Sequence, residues 1–588
     1  MTSSRARALA AVEVLRAELD PPVALRVLVH LCLGRTIEQA LAALDELAPF
    51  ELPTHAPPGR ALHVARPAYT PSPAALAIQG PLSKWDVAVY LGAAYEALLS
   101  ANETRRARGA HHTHPDLARE VVRSAATSFS GRERLLRVCD PAVGSGVFLV
   151  EALRLFAYSR DVDDWIVQRL FGVDVDAEAV FLARVALYCL SERTEQIKEA
   201  LVRNIVCDDF VAASLTSRVP WLSEINLFVG NPPWIAYKGR AAAQLDPARR
   251  AFLVDSSPAF AGYPTLHGVF IERCARVLPP KGRLGLVVPT SVADLDGYAP
   301  TRRAHDRYCS IDPALPDYGA SAFEGVFQPA MALLSTARDA PVTPGEHVWE
   351  LARDDLDDAT HALLVRMAGF PHWPAELFGE RGIQTTADDR ARLSKRSTRR
   401  FTQALLSGTE VRPFDLRAAA TFVDPADFAD RLRTPHDWAG VRLFIRQTAR
   451  FPIAARGNGQ PFRNSILAGF ETNDISASAL MAFLNATPTR FLHYQRFRDA
   501  RQGMPQLKIG HLRRLPMPSA GATFLSKLSK IGALIEDHRR AKRDVTVLER
   551  ELDRLVGDAF ALTAVERETI ERWSHGPGRV PEPRRTNP

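Results

Sequence analysis

Short apolar segments alternate with longer amphipathic segments between about residues 117 and 340. Each apolar segment is bounded by Gly, Pro, Asp or Asn and has the length of a buried strand. The segments are LLRVCD (135–140), LFGVDV (170–175), NIVCDDF (204–210), INLFVG (225–230), RLGLVVP (283–289) and AMALLS (330–335). Because helical stretches lie between them, the pattern predicts an α/β domain with a mostly parallel sheet covered on both faces.

The flanking regions have other patterns. Residues 5–48 carry apolar positions at helical spacing, whereas residues 51–82 are rich in proline. Beyond about residue 375 the chain becomes irregular and rich in arginine and phenylalanine, and it closes with a charged helical stretch. We therefore predict four parts: a helical accessory module with a Pro-rich linker (1–82), the α/β domain (83–375), an α+β domain (376–520), and C-terminal helices with a tail (521–588).

Composition narrows the class of protein. The 588 residues are 46% hydrophobic and 24% charged, which is ordinary for a globular protein, and a net charge of +7 is only weak evidence for a polyanionic partner. The six cysteines lie at 32, 139, 189, 207, 274 and 309 with no CxxC pair. They predict buried thiols in a reducing compartment. With no signal peptide and no long apolar run, the expected location is the cytoplasm.

The first candidate site follows the strand LLRVCD, where Asp140-Pro-Ala142-Val-Gly144-Ser-Gly146 leads into an apolar helix. Glycines allow the backbone to approach a ligand closely, and a helix N-terminus offers free N–H groups. The G-x-G-x-x-G dinucleotide pattern is not met, because Leu149 stands at its third position. A strand-end carboxylate repels phosphate and suits an amino group or sugar hydroxyls, as in S-adenosylmethionine. The alternative is an ordinary strand–turn–helix.

Acidic residues also end the next two strands. Asp174 stands where a ribose would be bound in a doubly wound sheet, and Asp209 precedes Phe210 at the following strand end. Asp209 could accept a hydrogen bond from an adenine amino group while Phe210 covers the ring. Each acid alone is typical of a helix N-cap or a solvated turn. Acids at three successive strand ends on one sheet edge favour a ligand site.

The fourth strand runs directly into Asn231-Pro232-Pro233-Trp234. Proline fixes φ and removes the N–H donor, so the Asn231 amide oxygen and the following carbonyls can form a rigid set of acceptors. Two acceptors match the two hydrogens of an exocyclic amine and can direct its lone pair at an electrophile. The aromatic ring beside them can stack on a base, an interaction worth about 1–3 kcal/mol.

In this order, D-P-x-x-G-S-G, G-V-D-V-D, D-F and N-P-P-W resemble the N6-adenine DNA methyltransferases of the gamma order, in particular the TaqI-like enzymes of type II and IIG restriction–modification systems. The resemblance runs from about Leu91 to the helices near 570. It implies a Rossmann-like, S-adenosylmethionine-dependent catalytic domain at 83–375 and a target recognition domain at 376–520. It also implies a restriction or phage-defence role and double-stranded DNA as partner, with separate restriction or defence subunits possible.

The resemblance also assigns roles to residues. The methionine end of the cofactor would lie against Asp140, Ala142, Gly144 and Gly146, its ribose against Asp174, and its adenine against Asp209 and Phe210. Asn231, Pro232 and Pro233 would form the catalytic corner, with Trp234 on one face of the flipped base and Phe327 (or else Phe323) on the other. The family motif G-x-[HY]-[YF]-T-P stands here as Gly109-Ala-His-His-Thr113-His114-Pro115. Thr113 would contact the cofactor, but His114 stands where the motif has proline, and the proline follows one position later. No spacing around these histidines supports a metal site.

The C-terminal third bears on the substrate. Residues 391–450 hold 12 Arg and Lys against 6 Asp and Glu, interleaved with aromatics, which suits a groove-reading domain as well as a solvated surface. Candidate DNA contacts are Arg446, Arg463, Arg496, Arg498 and Lys508. Because no lysine has an acid two positions before it, we expect no PD-(D/E)xK nuclease in this sequence. Methylation of cytosine N4, RNA or protein glutamine, and a non-catalytic DNA-binding subunit, remain alternatives.

Overall fold

A computed structural model gives the architecture. Outside 113–580 it describes only isolated positions, so the predicted 1–82 module lies almost wholly outside the described residues. Within 113–580 the undescribed positions are 158–160, 213, 239–241, 320–321, 324–327, 346–347, 353–355, 380–381, 386–387, 433–437, 498–504 and 520. The isolated described positions are Val27, Gln39, Trp85, Ala88, Val89 and Leu91.

The chain divides into two compact units, residues 1–353 and 354–588, each with its own hydrophobic core. The division falls before the boundary predicted at 375, because Leu363 and Met367 of the helix Asp358–Ala368 are buried in the second core. Likewise the predicted 521–588 segment does not form a core of its own, since Ile531 and Val556 belong to that same second core. Val27 is buried in the first core.

The first unit contains a sheet that confirms the predicted α/β fold. Its strand order is β3-β2-β1-β4-β5-β8-β6, with β7 paired to β8. Strands β1 to β5 run parallel, and β8 is antiparallel to β5, β6 and β7. The strands are β1 Val138–Asp140, β2 Leu170–Asp174, β3 Ile205–Cys207, β4 Leu227–Gly230, β5 Arg283–Pro289, β6 Cys309–Ile311, β7 Asp317–Gly319 and β8 Ala330–Ala337.

Helices connect these strands, as the alternating pattern predicts. The longer ones present apolar side chains to the sheet, and β5 is buried along its full length. In the described ranges, no helix has both the length and the apolar character needed to cross a bilayer. The helices are α1 Pro115–Ala125, α2 Val147–Phe156, α3 Val162–Gln168, α4 Ala177–Leu190, α5 Glu195–Asn204, α6 Leu215–Arg218, α7 Pro247–Ser256, α8 Leu266–Val277, α9 Ser291–Asp294 and α10 Ala299–Asp306.

Helix α1 begins at Pro115, where the missing proline N–H costs nothing because the first helical N–H groups have no intrahelical partner. His114 precedes it as the N-cap, and its Nδ1 accepts from the Asp116 backbone N–H. The departure from the usual T-P motif therefore has a local structural reason. It leaves Thr113, just before the cap, in a buried position beside the sheet edge.

A buried ion pair joins α1 to α2. The side chain of Glu151 is fully buried, and the Arg119 guanidinium contacts both of its carboxylate oxygens, with Nε–Oε2 at 2.7 Å and Nη2–Oε1 at 3.1 Å. Arg154 lies 3.5 Å from the same carboxylate. Because α1 follows Thr113 and α2 follows the glycine loop, this pair holds together the two segments that flank the candidate site.

The second unit combines short antiparallel strands with helices, in agreement with the predicted α+β class. Its largest sheet has the order β16-β15-β17-β9. The helix Ala522–Arg540 (α15) packs against the helix Ala477–Asn485 (α12) at Gly532, where a side chain would collide with the Ser478 carbonyl. The strands are β9 Phe378–Gly379, β10 Leu393–Ser394, β11 Gln403–Ala404, β12 Val411–Arg412, β13 Asp415–Leu416, β14 Phe422–Val423, β15 Leu443–Arg446, β16 Ala454–Arg456 and β17 Ile466–Gly469. The helices are α11 Asp358–Ala368, α12 Ala477–Asn485, α13 Thr487–Arg496, α14 Ile509–Arg513, α15 Ala522–Arg540, α16 Thr546–Ala559 and α17 Ala564–His575.

Replacing Arg119 by leucine should weaken the packing of α1 on α2, because Glu151 would keep a buried charge without its principal partner. We expect a loss of about 3 kcal/mol in local opening free energy. Hydrogen exchange measured by mass spectrometry on peptides from 115–125 and 147–156 reads this directly. The double variant Arg119→Leu/Glu151→Leu, which removes both charges, should recover most of the loss. Unchanged exchange in the single variant would contradict this account.

Candidate functional site

The ends of β1, β2, β3 and β4 meet at one edge of the sheet. Neighbouring strands are parallel, with Asp140 opposite Gly172, two residues before the end of β2, and Asp174 opposite Cys207. The strand order reverses between β1 and β4, and open α/β sheets bind ligands at the carboxyl ends of the strands beside such a reversal. The acidic residues and the Asn231 corner predicted from the sequence therefore lie along one edge.

The glycine loop after β1 is held on the end of β2. The Val143 N–H donates to the Val173 carbonyl, and the Gly144 N–H donates to Asp174 Oδ2 at 2.9 Å. Gly144 and Gly146 have φ values of +51° and +91°, a region that side chains disfavour. A side chain at Gly146 would also press on Ala183 of helix α4. Both glycines are thus required by the loop geometry.

Asp140 is 1% exposed at the end of β1. Its Oδ1 accepts from the Ala142 N–H at 3.0 Å and packs against the Cα of Gly230, where a side chain would occupy the place of that oxygen. Gly230 is the residue directly before Asn231. The predicted cofactor carboxylate and the predicted catalytic corner are therefore in contact through a glycine.

Two carboxyl groups at this edge have raised pKa values. Burial raises the pKa of Asp140 well above its ordinary value, against the effect of the Ala142 N–H, and nearby Asp174 raises it further. Burial also raises the pKa of Asp174 to about 6, although the N–H groups of Asp176 and Gly144 favour its charged form. A ligand with an ammonium group and hydroxyls would stabilise both carboxylates, whereas a phosphate would not.

Asn231 is anchored to the segment before α1. Its Nδ2 donates to Thr113 Oγ1 at 3.2 Å, and Thr113 is 3% exposed. Donation from Nδ2 orients the amide and leaves Oδ1 as the acceptor atom of the corner. The sequence predicts Thr113 as a cofactor contact, and the structure shows its hydroxyl hydrogen-bonded to Asn231.

The prolines and the tryptophan complete the corner. The Pro233 carbonyl accepts a hydrogen bond from the Ile235 N–H at 2.9 Å, and this bond stabilises the turn after Asn231. No described N–H donates to the Pro232 carbonyl. Trp234 is half-buried, its Nε1 donates to the Val287 carbonyl, and its ring meets Phe323 edge-to-face with centroids 5.3 Å apart. Phe327 lies outside the described residues, so Phe323, the alternative, is the phenylalanine seen beside Trp234.

The end of β3 differs from the predicted arrangement. Asp209 Oδ1 accepts from the Val211 N–H, and its Oδ2 pairs with Arg249 of α7 at 2.5 Å. Phe210 is 1% exposed and stacks on Phe270 with centroids 5.3 Å apart. Phe210 is therefore a core side chain in this structure, packed between the rings of Phe228 and Phe270.

Two residues of this site were not singled out from the sequence. Gly230 could have been found, since a glycine that ends a buried strand directly before a functional turn often marks a close approach. Arg249 has no local signal, because it lies on an exposed helix 40 residues beyond Asp209 in sequence and meets it only in the folded chain.

Cysteine and histidine side chains are among the commonest metal ligands in proteins. Cys139, Cys189, Cys274 and Cys309 are buried as expected, whereas Cys207 is exposed at the end of β3. Cys32, His111 and His112 lie outside the described residues. Within the described ranges, no group of three or more His, Cys, Asp or Glu side chains could hold a metal ion.

The predicted DNA-contacting side chains lie in the second unit and are half-buried where described. Arg446 Nε donates to the Thr448 carbonyl at 2.9 Å, and burial together with nearby Arg412 lowers its pKa. Arg463 Nη2 donates to Thr385 Oγ1 at 2.5 Å. The Arg496 guanidinium lies over Phe497, and Lys508 is the N-cap residue of α14. Arg498 lies outside the described residues.

Structural comparison finds a solved protein with a similar fold. The type IIL restriction-modification enzyme MmeI in complex with DNA is 13% identical, with a TM-score of 0.53, over 85% of this chain and 84% of that chain. Two further structures have TM-scores below 0.5 and carry no argument here. A DrdV–DNA complex is 12% identical, with a TM-score of 0.47, over 79% of this chain and 61% of that chain. The ATP-dependent type ISP enzyme LlaBIII bound to DNA is 10% identical, with a TM-score of 0.46, over 91% of this chain and 47% of that chain. At this identity, the likeness to MmeI shows a shared fold.

Sequence comparison finds a family match for part of the chain. A search among curated proteins finds no match. Residues 87–297 match the family model described as N-6 DNA Methylase, a range that contains Thr113, the glycine loop, the acidic strand ends and Asn231-Pro-Pro-Trp234. This match, together with the convergence of those residues at one sheet edge, identifies residues 87–297 as a domain of the N-6 DNA methylase family.

Proposed function

We propose that this protein is an S-adenosylmethionine-dependent DNA methyltransferase that methylates N6 of an adenine flipped out of duplex DNA. One observation carries the proposal: Asn231, oriented by Thr113, stands beside the buried Asp140 and the half-buried Asp174 in a range that matches the N-6 DNA methylase family model. We further propose the gamma order of motifs, a role in restriction–modification or phage defence, and no PD-(D/E)xK nuclease in this sequence.

The chemistry of the edge suits the cofactor. Asp140 and Asp174 offer acceptors for an ammonium group and for ribose hydroxyls, and the positive φ at Gly144 and Gly146 forms a cradle for close approach. When bound, S-adenosylmethionine supplies the methyl group. For its adenine, Asp209 would have to exchange Arg249 for the adenine amino group, whereas the buried Phe210 supports the floor beneath.

The catalytic corner acts by orientation. Asn231 Oδ1 and the Pro232 carbonyl would accept the two hydrogens of the target amine, and the lone pair then faces the methyl donor. The Thr113 hydroxyl keeps the amide from rotating. Trp234 offers a ring face for the flipped base and is itself held by Val287 and Phe323. No covalent bond between enzyme and substrate is needed.

The second unit would bind the duplex. Arg446 and Arg412 lie close enough that their charges oppose each other, and a DNA phosphate would relieve that repulsion. Arg463, Arg496 and Lys508 add positive charge in the same unit. The DNA-bound state of MmeI, which has a similar fold, supports DNA as the partner. Arg498 stays a prediction.

The substrate is tested with labelled S-adenosylmethionine offered in parallel to plasmid DNA, RNA and total protein. We expect label in DNA alone, and sequencing that distinguishes N6-methyladenine from N4-methylcytosine should place it on adenine within one short recognition sequence. Label in RNA or protein but not in DNA would overturn the proposal. Label on cytosine would retain the reaction and change the base.

Replacing Asn231 by alanine should lower the methylation rate by about 100- to 1,000-fold, the usual effect of removing one preorganised polar group at a reacting centre. Asn231→Asp keeps an acceptor oxygen and should retain more activity than the alanine variant. Asn458→Ala, in an exposed loop of the second unit, is the matched control and should be neutral. Single-turnover rates give the measurement, and full activity of Asn231→Ala would refute the role of the corner.

Cofactor affinity should depend on pH through Asp174. Its ionised form is the hydrogen-bond acceptor, so binding is strongest above pH 7 and weakens as the pH falls through about 6. Between pH 7.5 and pH 5 we expect about tenfold weaker binding, because about a tenth of the carboxyl group remains ionised one unit below its pKa. Equilibrium dialysis with labelled cofactor measures this. Asp174→Asn should bind weakly at every pH, and an unchanged pH profile in that variant would assign the effect to another group.

A further inference from the structure

Arg273 is a buried arginine whose guanidinium has no carboxylate within ion-pair distance among the described residues. It lies on α8 with 7% of its surface exposed, and its Nε is buried without a hydrogen-bond partner. Within the described part of the chain, its guanidinium forms no ion pair, and its one ring contact is with Phe210 at 5.8 Å from the centroid. A buried charge is normally paired, because removing it from water is costly. An unpaired one therefore indicates a missing anionic partner.

The charged groups described around Arg273 leave it without a close anionic partner. Burial lowers the pKa of Arg273 most, and Arg276, one turn further along α8, lowers it further, whereas the more weakly acting Asp209 carboxylate raises it. Asp209 is itself paired with Arg249. Glu272 also lines this region, but its carboxylate is already engaged by the Ser257 hydroxyl, by the Ala259 N–H at 3.1 Å, and by Arg276 at 3.9 Å. The acid is thus partly neutralised, and Arg273 keeps its donors for another group.

A cavity of about 390 Å³ lies beside these side chains, between α7, α8 and the segment after β3. Its polar lining consists of Thr216, Ser256, Ser257, Glu272, Arg273 and Arg276. Its apolar side is formed by Val211, Phe252, Val269 and Val277. None of the residues assigned to the cofactor, the target base or the catalytic corner lines it. The cavity is therefore a separate space, large enough for a small organic molecule.

We propose that this cavity binds a small molecule that carries an oxyanion, with phosphate favoured, joined to an apolar group. The oxyanion would accept from Arg273 and Ser256 and would be approached by Arg276, whose side chain is 41% exposed. Guanidinium groups recognise phosphate and carboxylate oxygens by paired, charge-assisted hydrogen bonds. The apolar group would pack on Val269 and Phe252.

Phenyl phosphate, benzoate, inorganic phosphate and benzyl alcohol form a suitable probe set for calorimetric titration of the full chain. We expect one saturable site for phenyl phosphate, at least tenfold weaker binding of inorganic phosphate, and no binding of benzyl alcohol, because both parts of the ligand contribute. Tighter binding of benzoate than of phenyl phosphate would retain the site and assign it to carboxylates. Absence of saturable binding of both anionic aromatic probes would overturn the proposal.

Two variants locate the site. Arg273→Gln removes the charge and should weaken phenyl phosphate binding at least tenfold, whereas Arg250→Gln, an exposed arginine on α7, should leave it unchanged. Val269→Phe fills the apolar side without touching the arginine and should also abolish binding, with thermal denaturation confirming the folded state. Should Arg273→Gln fail to fold, the Val269 variant decides alone. Unaltered binding in the folded variants would place the probe elsewhere and refute the assignment.

Discussion

The contact between the Asp140 carboxylate and the Cα of Gly230 determines how the rest of the site is arranged. It exists because β1 and β4 are adjacent and parallel, so their last residues lie side by side. It brings a buried acid against the residue that introduces Asn231. The glycine loop follows directly from Asp140, and Asp174 holds that loop from the neighbouring strand. Movement at either half of the site is therefore transmitted to the other.

This arrangement has a cost in stability that the fold has to offset. Two carboxyl groups with raised pKa values share one edge, and each is less stable in its charged form than it would be in water. Backbone N–H groups of Ala142 and Gly144 hold the two carboxyl groups in place. Functional sites commonly retain such unfavourable groups because a ligand relieves them.

The sequence predicts those features that depend on local signals. Strands β1 to β5 and β8, the glycine loop and the Asn231 corner are found because strand periodicity, glycine and proline act within a few residues. Strands β6 and β7, the burial of Phe210 and the Arg249–Asp209 pair depend on contacts between distant segments and could not be predicted. The boundary near 375 was misplaced for a related reason: the pattern of α11 shows an amphipathic helix, but not which core it packs against.

The Asp209–Arg249 pair gives the site a dependence on ionic strength. Both side chains are about one-third exposed, so dissolved salt screens their attraction and releases Asp209. Under the proposed function the same salt weakens the hold of the second unit on DNA phosphates. Salt would then act in opposite directions on the two substrates, easing entry of the cofactor while loosening the nucleic acid. A methylation rate that passes through a maximum at intermediate salt is the natural outcome of these opposed effects.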